Sequence, residues 1–178
     1  DMPFNTYRNK SEALKNCKVM MKKTKCDGVK LEGGVKIKNI VKHLVKNKIP
    51  VLGHIGLMPQ YVKGKFKSKG KTANERIQIL NDAVALEKAG SFGIVVECLV
   101  SELAKKITKK IKIPTIGIGS STNCDGQILV SDDILGLTKS KIRFAKEFVD
   151  LKKYIRLAAK KFRSEVLSKK YPSKKYSY

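Results

Sequence analysis

Three short apolar runs in this chain each lead into a side chain able to move or hold a proton. Gly28-Val29-Lys30-Leu31 runs into Glu32, Pro50-Val51-Leu52-Gly53 into His54, and Gly93-Ile94-Val95-Val96 into Glu97. A carboxylate at the end of so apolar a run loses hydration. That favours its neutral form and raises its pKa unless partners hold the charge. A general base poised near neutral pH has this character, so Glu97 is the first candidate for catalysis. His54 alone has a plainer reading, a hydrogen-bonded core histidine. Lys30 or Glu32 alone would fit a solvated loop. Their recurrence at the ends of successive runs argues for a site, because barrel enzymes place their chemistry at strand C-termini.

Two phosphate-binding look-alikes fail. The stretch 64–72, Gly64-Lys65-Phe66-Lys67-Ser68-Lys69-Gly70-Lys71-Thr72, has one residue too many between its glycines for a P-loop, and no strand directly precedes it. Gly117-Ile118-Gly119 begins a dinucleotide fingerprint but lacks the third glycine.

The elements that must position these residues alternate along the chain. The three runs, with Pro114-Thr115-Ile116-Gly117-Ile118 and Gln127-Ile128-Leu129-Val130, read as short buried parallel strands. Apolar residues at helical spacing predict helices over 35–47 and 74–89, the second closed by Gly90 as the residue after the C-cap. A helix over 101–110 opens on Ser101-Glu102, read as an N-cap start. After Lys139 a long basic helical region carries Phe144, Phe148, Leu151, Ile155, Ala158, Phe162 and Val166, and ends before Pro172. Strand alternating with helix predicts an α/β fold with a parallel sheet. Periodicity alone leaves an open doubly wound sheet and a closed barrel both open.

Hydrophobic residues make up 42% of the 178, which excludes a disordered chain. No apolar run suits a transmembrane helix and no signal peptide is visible at the N-terminus. Cys17, Cys26, Cys98 and Cys124 lack C-x-x-C spacing, so reduced thiols in a cytoplasmic protein are expected and a zinc site is not. The formal charge of +24 raises nucleic-acid binding as an alternative. The lysines, however, are spread through nearly every segment, as ordinary solvated faces would carry them. The densest patch is 63–71, which contains Phe66 and suits a polyanionic ligand.

Asp1-Met2-Pro3-Phe4, Val29-Lys30-Leu31-Glu32-Gly33-Gly34, Gly53-His54-Ile55-Gly56-Leu57-Met58-Pro59-Gln60, Val96-Glu97-Cys98, and Ile116-Gly117-Ile118-Gly119 followed by Cys124-Asp125-Gly126-Gln127 form an ordered series. The series resembles that of the ketopantoate hydroxymethyltransferase family over essentially the whole chain, and Tyr171-Pro172-Ser173 to Tyr178 resembles the family's terminal segment. Met58, Leu99-Val100-Ser101, Ser120-Ser121-Thr122-Asn123 and the stretch 61–70 depart from the family pattern, all in loops.

The resemblance implies a (β/α)8 TIM-type barrel. It implies transfer of a one-carbon unit from 5,10-methylenetetrahydrofolate to 3-methyl-2-oxobutanoate, giving 2-dehydropantoate for pantothenate synthesis. It implies Mg²⁺ with Asp1 and Glu32 as metal carboxylates, direct or through water. Asp1, Lys30 and His54 then hold the substrate, and Glu97 takes its C3 proton. A polyglutamylated folate would be one polyanion for the 63–71 patch. A homo-oligomer, a decamer in the family, and no membrane partner are further implications. Other readings are another Mg²⁺-dependent enolate-forming barrel enzyme of lyase or aldolase type, and a basic nucleic-acid-binding protein. A barrel takes about 250 residues, and about 200 at the least. The expectation is therefore a single barrel domain over 1–178 that lacks roughly its first three strands. By resemblance, those carry a second aspartate and a serine, and the chain alone is expected to be inactive.

Overall fold

Five strands, β1 (Val29–Glu32), β2 (Val51–Gly56), β3 (Gly93–Glu97), β4 (Thr115–Ile118) and β5 (Gly126–Gln127), pair in parallel in the order β1-β2-β3-β4-β5. The computed structural model describes residues 1–62, 67–138 and 142–178. Strand order follows chain order with no reversal. A doubly wound sheet reverses at a switch point, so this topology is an arc of a (β/α) barrel, and the choice left open by periodicity is resolved.

The register sorts the residues by face. Glu32 lies opposite His54, Gly56 opposite Glu97, and Glu97 opposite Ile118. Because side chains alternate along a strand, Lys30, Glu32, His54, Val95 and Glu97 share one face. Val29, Leu31, Val51, Ile55, Ile94 and Val96 share the other, and all six belong to the buried core. Helices α1 (Lys10–Thr24), α2 (Lys38–Lys46), α3 (Ala73–Lys88) and α4 (Ser101–Lys110) complete this unit, Asp1–Ile128. Leu44, Leu86 and Ile107 of the last three helices are fully buried with it.

Several sequence expectations need adjustment. Helix α1 was not anticipated. Its buried positions are small, Ala13 and Cys17, and are set among lysines. It is nevertheless well capped: Asn9 accepts from the Glu12 N–H, and Lys25 closes it at φ 59°. Strand β5 covers only Gly126–Gln127, and Ile128 and Val130 beyond it are exposed. Ser101 is not the N-cap of α4. That position belongs to Val100, and the Ser101 hydroxyl donates to the Ser121 hydroxyl at 3.0 Å. Gly90 does close α3, at φ 95°, with Gly90 N–H donating to Glu87 and Ser91 N–H to Leu86.

The second unit, Leu129–Tyr178, holds α5 (Ser131–Ile134) and α6 (Leu151–Leu167). Helix α6 begins seven residues later than the spacing from Phe144 suggests, because Asp150 accepts from the Lys153 N–H and fixes the start there. Residues 63–66, part of the basic patch and of the rejected phosphate motif, and 139–141, where the long helical region was expected to open, lie outside the described residues.

Candidate active site

The motif Gly53 to Gln60 builds the centre of the site. His54 is the fourth of the six residues of β2, with buried Ile55 after it. Gly56 then adopts φ 93°, and a Cβ there would sit 2.3 Å from the Glu97 carbonyl oxygen. Only glycine tolerates both conditions. The turn lets Leu57 N–H donate to the Glu97 carbonyl at 2.9 Å and brings the Leu57 carbonyl onto the His54 ring.

His54 is fully buried. Its Nε2 lies 2.7 Å from the Leu57 carbonyl oxygen and its Nδ1 lies 3.4 Å from Lys30 Nζ. A carbonyl only accepts, so Nε2 carries the proton, and Nδ1 is left to accept from the lysine. Burial pushes the imidazole pKa down to about 4, with Lys30 acting in the same direction and the Leu57 carbonyl opposing. The ring is therefore neutral at pH 7. Its 3.4 Å approach to Glu97 Oε2 is a polar contact and not an ion pair.

Burial pushes Glu97 up to about 7, with Glu32 adding to the rise and Lys30 opposing it. Of two carboxylates on one face, Glu97 is thus held half-ionised near neutrality. Glu32 is raised too, chiefly by burial, while the Gln60 N–H and Lys30 favour its charge. Lys30 reaches the fourth group, Asp1, at 3.1 Å. Met2 N–H donates to the Lys30 carbonyl, which lays the N-terminal residues along the free edge of β1.

The contacts therefore run Asp1 to Lys30 to His54 to Glu97. Glu32 shares their face and feels both Lys30 and Glu97. Two residues with no assigned role complete the support. Gln60 donates its N–H to Glu32 Oε2 at 3.1 Å and its amide to the Met2 carbonyl at 2.8 Å, and accepts from the Tyr7 hydroxyl at 2.9 Å. Buried Tyr7 also lies 3.5 Å from the Glu32 carbonyl. Gln60 lies in the Gly53–Gln60 motif, whose spacing alone points to no role for it. Tyr7 lies in a stretch with no sequence signal.

Among the described residues no three His, Cys, Asp or Glu side chains gather closely enough to cage a metal by themselves. Two carboxylates at one rim fit a hard cation that keeps waters and substrate oxygens in its shell, as Mg²⁺ does. They suit zinc less well, because its sites usually draw on histidine nitrogen or cysteine sulfur. The face as a whole can bind an anion at Lys30, supply a base at Glu97, and present oxygen donors beside both. No helix among the described residues is long and apolar enough to cross a membrane.

Comparison with known proteins gives concordant results. A family described as ketopantoate hydroxymethyltransferase matches residues 1–174. The chain is 56% identical over 178 residues to a 3-methyl-2-oxobutanoate hydroxymethyltransferase of Pelagibacter ubique, covering all of this chain and 69% of that protein. It is 47% identical over 181 residues to the protein of that name in Aliarcobacter butzleri, of which it spans 67%, and 45% identical over 182 residues to that of Brucella canis, of which it spans 66%.

Proposed function

Since this chain belongs to the ketopantoate hydroxymethyltransferase family, we propose that its strand-end residues catalyse the enolising half of a hydroxymethyl transfer. The acceptor is 3-methyl-2-oxobutanoate, the one-carbon donor is 5,10-methylenetetrahydrofolate, and the product is 2-dehydropantoate, a precursor in pantothenate synthesis.

The observation that carries this reading is Glu97, a buried carboxylate raised to about 7 and set among a lysine, a neutral histidine and a second carboxylate. The C3 proton of a 2-oxo acid is weakly acidic. A base matched to the working pH is half ionised and still able to accept a proton. Glu97 takes that proton. Lys30 holds the substrate carboxylate and the oxyanion that develops as C3 loses its proton. His54, fully buried and with both ring nitrogens engaged, acts through its neighbours: it orients the Lys30 ammonium and packs against Glu97. Water hydrolyses the donor's methylene bridge, breaking both carbon–nitrogen bonds so that tetrahydrofolate leaves with N5–H and N10–H. The C3 carbanion bonds to the one-carbon unit released at the formaldehyde level, whose water-derived oxygen takes up a proton as the hydroxyl.

Asp1 and Glu32 would hold Mg²⁺, directly or through water. When bound, that ion supplies Lewis-acid stabilisation of negative charge on the oxo acid. Gln60 fixes the orientation of Glu32 in advance, as outer hydrogen-bond partners of metal carboxylates do. Placement in the cytoplasm and assembly as a homo-oligomer belong to the same proposal.

The test, on the full-length enzyme, is exchange of the C3 proton of 3-methyl-2-oxobutanoate in D₂O, followed by NMR without folate. Glu97→Gln should slow exchange by about 10²–10⁴-fold with little change in half-saturation by the oxo acid. Exchange at the wild-type rate would move the base elsewhere.

A further inference from the structure

Glu97 ends β3 just before a strained turn. The next residue, Cys98, adopts φ 52°, a left-handed conformation that side chains other than asparagine and aspartate seldom take. Such a residue keeps that conformation only where its surroundings hold it there.

Main-chain bonds supply part of the hold. The Cys98 N–H donates to the Ile118 carbonyl at 2.9 Å, the Lys69 N–H donates to the Cys98 carbonyl at 2.8 Å, and the Leu57 N–H reaches the Glu97 carbonyl. One side chain supplies the rest. Ser120 Oγ donates to the Val96 carbonyl at 2.7 Å and accepts from the Leu99 N–H at 3.1 Å. A hydroxyl has one proton and two lone pairs. Here the proton and one lone pair close a bridge from the residue before Glu97 to the residue after Cys98. Among the described residues no other side chain hydrogen-bonds the backbone of 96–99.

The barrel does not force a serine at this place. Ser120 lies in the loop after β4, within the stretch 120–123 that departs from the family pattern. The three main-chain bonds would form with any residue there. The bridge matters because of what Glu97 has to reach. Its Oε2 lies 3.4 Å from His54 Nε2, and a base must come within hydrogen-bond reach of the proton it takes. Loosening the bridge lets the last residue of β3 shift, and a misplacement of about 1 Å in a reacting group can cost about 10²-fold in rate.

We propose that Ser120 is a positioning residue for Glu97: its hydroxyl locks the turn at Cys98 and so fixes where the carboxylate meets the substrate's C3. This inference rests on Glu97 as the base, as proposed above.

The experiment uses the full-length enzyme in the D₂O exchange assay, with Ser120→Ala, Ser120→Thr and Glu97→Gln beside the wild type. Alanine removes the hydroxyl and keeps the Cβ, whereas threonine keeps both. Ser120→Ala should lower the exchange rate at saturation by about 10–10²-fold, with half-saturation by the oxo acid within about twofold of wild type. Ser120→Thr should recover the rate to within about threefold. Amide hydrogen exchange followed by mass spectrometry reads the bridge itself: in Ser120→Ala it should speed up across 97–100 and not across 51–56. A wild-type rate in Ser120→Ala overturns the proposal. So does a threonine variant as slow as alanine, which traces the loss to packing. Faster amide exchange throughout the sheet overturns it too, because Ser120 would then be an ordinary stabilising residue. Glu97→Gln at the wild-type rate is a different failure: it removes the base, and with it any reason to position Glu97.

Discussion

Glu97→Gln should stabilise the protein, and only above acidic pH. The unfolded carboxyl titrates at 4.5 and the folded one at about 7. Between those values the native state binds more protons than the unfolded state, so stability falls as pH rises. The group's contribution is fully present below 4.5 and is lost as pH climbs through 7. The gap from 4.5 to about 7 corresponds to at most about 3.4 kcal/mol, and roughly half that once the partial solvent contact of the carboxylate is allowed for. Glutamine keeps the shape and never ionises, so it escapes this loss. His54 titrates over an overlapping range with the opposite sign, because its pKa is depressed to about 4 and its contribution is lost as pH falls from 6.5. It is present in both proteins, so the part of its effect that is independent of Glu97 cancels in the difference between them. Urea unfolding of wild type and Glu97→Gln, with EDTA present, at pH 5 and pH 8 is the assay. The variant's advantage should widen by about 1–2.5 kcal/mol from the lower to the higher pH. A gap that stays constant or narrows would refute the claim that burial of Glu97 raises its pKa. Such a result would also remove the physical basis for choosing it as the base.

Gly56→Ala should cost about 2–4 kcal/mol, because it combines a left-handed backbone with a Cβ driven into the Glu97 carbonyl; a melting temperature within a degree of wild type would contradict the turn geometry. Gln60→Leu keeps the backbone N–H on Glu32 but frees the Met2 carbonyl, beside Asp1, and the Tyr7 hydroxyl under Glu32. It should raise the Mg²⁺ concentration for half-activation about tenfold or more, with Mn²⁺ affinity measured by electron paramagnetic resonance falling in parallel. An unchanged Mn²⁺ affinity would show that Gln60 does not position the metal carboxylates.

Much of the architecture could be read along the chain because it is local. Parallel strands buried on both faces must be nearly all apolar, so 93–96 announces itself. The first polar residue after such a run falls in the strand's C-terminal half, as Glu32 and Glu97 do at the last position and His54 does two residues before it. This is why Glu32, His54 and Glu97 were legible as one series before any contact was known. Helix α4 was read from a cap start at Ser101-Glu102 that the fold does not use as a cap, since the Ser101 hydroxyl turns to Ser121, a neighbour distant in sequence. Helix α1 was hidden by small buried residues, and β5 was overextended because the apolar Ile128 and Val130 remain exposed in the fold.

The sequence by itself determined which side chains stand at strand ends and which face of each strand is apolar, because both follow from a two-residue period and a short-range pattern. It did not determine their chemical state. The register that sets Glu32 against His54, the Leu57 carbonyl that puts the His54 proton on Nε2, and the burial that lifts Glu97 while lowering His54 are sums over neighbours from four separate segments. Desolvation and hydrogen bonding act through space. Tertiary structure alone therefore decided that the histidine is neutral, that one carboxylate is the better base, and that Tyr7 and Gln60 hold the other in place.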